Sequence, residues 1–108
     1  MKHKKLLVMA DFCSSGIWAH REESSGGMVD FDDLNITKEL QKEFEDWILF
    51  YDNKCHESRH FRFRGEKAEE LNKQGRELAK KLKAELPEVD IYYWGEGDSG
   101  MLDRELIT

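Results

Sequence analysis

The chain has 108 residues, enough for one domain, with 39% apolar and 37% charged residues and a formal net charge of −6. That balance still permits a core, because three Trp, six Phe and three Tyr supply large buried area. The negative charge argues against non-specific binding to nucleic acid or anionic membrane, where affinity rests on Lys and Arg meeting phosphates.

Leu6 to Cys13 is an apolar run broken by Asp11. Its brevity predicts a buried strand, and it is too short for a signal-peptide core. No stretch approaches the ~20 apolar residues of a membrane span. Two cysteines, Cys13 and Cys55, make no disulfide framework, so a cytoplasmic location with reduced thiols is expected. Ser14-Ser15-Gly16 ends the strand, and residues 17–33 read as irregular, with Ser24 to Gly27 as a loop tip. Met28-Val29 and Phe31 suggest a short extended piece.

A first helix is expected from Thr37, whose hydroxyl suits an N-cap, to about Tyr51 or Asn53. Asp32, Asp33 and Glu39 lie where the positive end of the helix dipole favours acids. Leu40, Phe44, Trp47, Ile48 and Tyr51 recur at i, i+4, i+7, i+8 and i+11, which draws one apolar stripe. Leu49 points almost directly away from that stripe, and Phe50 lies off its other edge. Around them, residues 30–52 hold eight acids against Lys38 and Lys42.

Residues 60–64, His-Phe-Arg-Phe-Arg, alternate with period two and allow a short third strand. A second helix is expected over about Glu66 to Leu86, on the stripe Ala68, Leu71, Gly75, Leu78, Ala79, Leu82 and Leu86. Gly75 within it implies close approach of a neighbouring element, and Pro87 stops the helix. Glu69/Lys73 and Glu77/Lys81 have the spacing of favourable pairs on the wet face. Residues 89–94 alternate and predict a strand with one face in the core. Met101 to Thr108 reads as a tail that adds one helical turn. The resulting order, β-α-(β)-α-β, predicts an α+β (α/β two-layer) domain over 1–108, with two amphipathic helices on one face of a two- or three-stranded sheet.

No chemical constellation stands out. Cys13, Cys55, His20, His56 and His60 match no recurrent zinc-ligand spacing, so no metal or other cofactor is expected. Cys13 lacks the arginine and glycines of a phosphate-cradling loop. Gly95-Glu-Gly97 carries acids that would repel phosphate. The aromatic and arginine residues of 60–64 do not form a nucleic-acid motif, and the acidic surround opposes one. The expectation is a binding module, not an enzyme.

The ingredients that remain are those of a protein interface: acids that steer a basic partner, and apolar anchors. Asp30, Asp32, Asp33, Glu39, Glu43 and Asp46 would supply the charge, and Leu49 and Phe50 the anchors. Trp18, Met28 and Trp94 are further anchor candidates. Self-association through Leu49 and Phe50, as a homodimer or adaptor, is the alternative.

Four landmarks, Asp11-Phe-Cys-Ser-Ser-Gly-Ile-Trp18, Met28-Val-Asp-Phe-Asp-Asp-Leu34, Trp47 with Tyr51-Asp52, and Gly75-Arg-Glu-Leu-Ala79, resemble small bacterial proteins similar to the immunity partners of contact-dependent or polymorphic toxins. The resemblance implies stoichiometric inhibition of a toxin domain, often a nuclease, by covering its active site. It implies no catalytic residues.

Overall fold

The computed structural model describes residues 4–11, 14–20, 27–57, 65–97, 100–101 and 103–108, without the side chains of 55–57 and 100–101. Its elements in chain order are β1 (Lys5–Val8), β2 (Ile17–Ala19), a 3-10 turn (Phe31–Asp33), α1 (Lys38–Glu57), α2 (Glu66–Glu85), β3 (Asp90–Tyr93), β4 (Glu96–Gly97), β5 (Gly100–Met101) and β6 (Glu105–Ile107). The fold is α+β, two helices packed on a mixed sheet, as the periodicities require.

The main sheet has four strands in the order β2-β1-β3-β6, more than the two or three expected. β1 and β3 run parallel, and β2 and β6 flank them antiparallel. Two segments account for the difference. Ile17–Ala19, read as irregular, pairs with β1, and Gly16 just before it adopts φ 81°. The C-terminal stretch expected to coil into a helical turn instead contributes β6, which pairs Ile107 with Ile91. Three residues are too few for a period-two signal to register. A small hairpin, β4–β5, follows β3. Phe31 enters a 3-10 turn rather than an extended piece, while Met28 bridges to Trp18 beside β2. Residues 60–64 lie outside the described residues.

The register sorts the sheet into two faces. Ala19, Leu6, Ile91 and Ile107 align across the four strands, and all are buried toward the helices. Ile17, Val8 and Tyr93 form a second row on that side. Against them pack Leu40, Phe44, Trp47 and Ile48 of α1 and Ala68, Leu71, Leu78, Ala79 and Leu82 of α2.

Helix ends follow local chemistry. Thr37 Oγ1 accepts the Leu40 N–H at 3.2 Å, the expected N-cap. The Glu85 carboxylate accepts the Thr37 N–H at 2.7 Å and its hydroxyl at 2.9 Å, which ties the start of α1 to the end of α2. α2 stops at Glu85, before Pro87. α1 continues to Glu57, past the last residue of its apolar stripe.

The helices and sheet lock together at one notch. Tyr93 is fully buried, its ring 6.3 Å from that of Trp47, and both rings abut Gly75. The Trp47 indole N–H donates to the Leu71 carbonyl at 3.1 Å, and the Tyr93 hydroxyl donates to Asn72 Oδ1 at 2.8 Å. Asn72 also accepts the Glu96 N–H and donates to the Glu96 carbonyl, at 3.0 and 2.7 Å. One buried amide thus satisfies a core hydroxyl and fixes the backbone where β3 turns into β4.

Candidate protein-binding surface

α1 buries one stripe and presents the opposite side to solvent, as its 3.6-residue period dictates. On that side Leu49 is 56% exposed. Glu45 and Asp46, one turn before it, are exposed, as is Glu39 nearer the start of the helix. Asp30, Asp32 and Asp33 are exposed in and beside the 3-10 turn that precedes α1.

The predicted set is not uniform. Phe50 is half-buried and packs against the core, so Leu49 alone is the exposed anchor of the pair. The 100° step explains this: Phe50 lies near enough to the stripe to turn inward, and Leu49 does not. Glu43 is engaged. Lys81 of α2 reaches it at 2.5 Å across the helix pair, which raises the lysine's affinity for its proton through that hydrogen bond and the opposite charge. Lys81 therefore bridges the helices instead of closing only on Glu77. Asp46 pairs with Lys42 at 3.5 Å, both well exposed, a contact worth little in water. Glu39, Asp30, Asp32 and Asp33 keep their charge uncompensated by any ion pair among the described residues.

A second surface includes Trp18 and Met28, two of the further anchor candidates. On the helix-free face of the sheet, Trp18, Leu7, Tyr92 and Leu106 form one row across β2, β1, β3 and β6, and Met28 extends it beyond β2. Its two ends are open, Met28 at 46% and Leu106 at 49% exposure. Its middle is shielded: Leu7 is buried, Trp18 and Tyr92 are half-buried, and the His20 ring packs against Tyr92 at a tilt, 4.7 Å between centroids. The Trp18 indole N–H donates to the Met9 carbonyl at 3.0 Å. Trp94 is half-buried beneath the Arg104 guanidinium, 4.6 Å from its ring. Trp18 and Trp94 are thus largely committed within the chain. The row was detectable only once Leu106 was assigned to a strand.

The chemistry expected to be absent can be placed in part. His20 is buried against Tyr92. Cys13, His60 and the side chains of Cys55 and His56 lie outside the described residues. No group of three or more His, Cys, Asp or Glu able to hold a metal occurs among the described residues. No helix there is long and apolar enough to cross a membrane.

Comparison with known families places this architecture. The family model described as Serratia CdiI immunity protein-like matches residues 4–96, from the residue before β1 to the start of the β4–β5 hairpin. Comparison with curated proteins gives no match.

Proposed function

The chain belongs to the Serratia CdiI immunity protein-like family, a contact-dependent inhibition immunity group, and from that premise we propose that it neutralises a basic nuclease toxin by covering the toxin's active site. The observation that carries this reading is the exposed side of α1, where Leu49 stands one turn from Glu45 and Asp46, with the uncompensated Glu39 in the first turn of the helix and Asp30, Asp32 and Asp33 in and beside the 3-10 turn before it. A nuclease site is basic because it grips phosphates. An acidic surface competes for that same field and speeds encounter, while an apolar anchor slows release.

Inhibition of this kind needs complementarity and no reaction, so the protein acts as a binder and not as an enzyme, without a cofactor, in the cytoplasm where a nuclease would meet its substrate. Self-association is the weaker reading. With Phe50 turned into the core, the seam would rest on Leu49 alone.

The test is titration of the purified toxin domain of the cognate contact-dependent inhibition system against a nucleic-acid substrate. Cleavage should fall linearly and end at one equivalent of this protein. Undiminished cleavage at a large excess would refute the reading. Tight binding to a toxin that cleaves no nucleic acid would retain the immunity role and remove the nuclease.

A further inference from the structure

The strongest uncommitted feature outside α1 is a groove of about 1030 Å³ at the end of the sheet where β3 begins. Its walls come from two distant stretches of chain, Asp32 to Asn35 and Glu85 to Asp90, with Lys4 beside them. Its apolar lining is Leu34, Leu86 and Val89, which are buried and so form the floor, with the exposed Pro87 beside them. Asp32 and Asp33 line it from the first stretch, and Glu88 and Asp90 from the second. All four are exposed, and none of the four carboxylates makes a hydrogen bond or ion pair among the described residues. Glu85, by contrast, is occupied by Thr37.

Two ammonium groups stand near the four carboxylates, Lys4 in the lining and Lys83, whose Nζ donates to the Pro87 and Val89 carbonyls, so an acidic excess remains that an incoming cation relieves. The acids do not converge into a metal-holding group. An apolar floor beneath an acidic rim matches a different ligand shape, a Lys or Arg side chain whose aliphatic stem lies on the floor while its charged head reaches the rim. The groove's size matches the upper range of binding pockets, roughly 300–1,000 Å³, and so admits a loop bearing more than one such side chain.

Resting on the immunity reading above, we infer that this groove is a second docking point, which takes a Lys- or Arg-bearing loop of the toxin. The acids of α1 then steer the encounter, and the groove joins Leu49 in holding the complex. The two roles separate kinetically. Loss of an exposed steering charge lowers the association rate, whereas loss of a charge that pairs in a desolvated contact raises the dissociation rate.

The experiment measures both rates for the purified cognate toxin domain against three pairs of substitutions, each of which removes two negative charges. Glu88→Gln/Asp90→Asn removes the acids of one stretch, Asp32→Asn/Asp33→Asn removes those of the other, and Glu69→Gln/Glu70→Gln takes the same charge from exposed positions on α2. Each groove pair should raise the dissociation rate at least tenfold, while the α2 pair leaves it unchanged. All three keep their urea midpoints, since the six side chains are exposed. Equal, association-only effects in all three pairs would overturn the groove and retain the immunity role. Failure of the unmodified protein to bind the toxin would overturn both.

Discussion

Gly75 of α2 and Tyr93 of β3 touch so closely that a methyl group on Gly75 would lie 2.4 Å from Tyr93 Cε1. It would also lie 2.7 Å from Trp47 Cζ2. Both are closer than carbon atoms approach, so the glycine is a notch that admits two aromatic rings from α1 and the sheet. Gly75→Ala should gain about 1 kcal/mol of helix propensity and lose more to overpacking, typically 1–3 kcal/mol. A lowered urea midpoint is expected, and a raised one would show that the rings move aside freely.

Asn72 serves three partners at once, the Tyr93 hydroxyl and both backbone groups of Glu96. Asn72→Leu fills similar space and leaves those groups unsatisfied, at a cost of about 2–4 kcal/mol. The Glu96 amide should lose hydrogen-exchange protection before the helix amides do. Unaltered protection at Glu96 would mean that the hairpin is held elsewhere.

Burial holds the Tyr93 phenol well above its usual pKa of 10.0, with Glu96 and Glu105 adding to the shift and Arg76 opposing it. The native state therefore keeps this proton where the unfolded chain has lost it. Its contribution is complete below about pH 10 and declines as the pH rises past that point, by up to about 1.4 kcal/mol per unit. Urea midpoints at pH 9 to 11 should fall more steeply for the unmodified protein than for Tyr93→Phe. Parallel curves would remove Tyr93 from the alkaline response.

Leu49 and Phe50 are neighbours with opposite duties. Leu49→Asp should change stability by no more than about 0.5 kcal/mol, because the side chain is mostly in water. Phe50→Asp should cost about 1–3 kcal/mol, because the ring packs on the core. In toxin binding, Leu49→Asp should raise the dissociation rate. A Leu49→Asp variant that binds normally would move the interface off α1.

Charge reversal tests steering. Glu39→Lys/Asp46→Lys should slow association with the toxin and flatten its dependence on salt. These positions suit the test better than Glu43, whose reversal would also break the bridge to Lys81. Rates that match the unmodified protein at low and moderate salt would place the steering surface elsewhere.

The sequence alone determined the two helices, the inner strands β1 and β3, the Thr37 cap and the close approach at Gly75. Each is written in a local code: an apolar period repeated over several turns, a capping hydroxyl, a glycine on a packed stripe. The direction of Leu49 followed from the same geometry. Tertiary structure decided what depends on partners far away in sequence. β2 and β6 are three-residue strands whose pairing with β1 and β3 supplies the order that their own lengths cannot encode. Phe50 sits at the margin of its stripe, where packing and not period chooses the side. The groove brings Asp32 and Asp33 together with Glu88 and Asp90 across more than fifty residues of chain. No pattern in either segment announces the other, because charges that meet only through the fold leave no periodic trace.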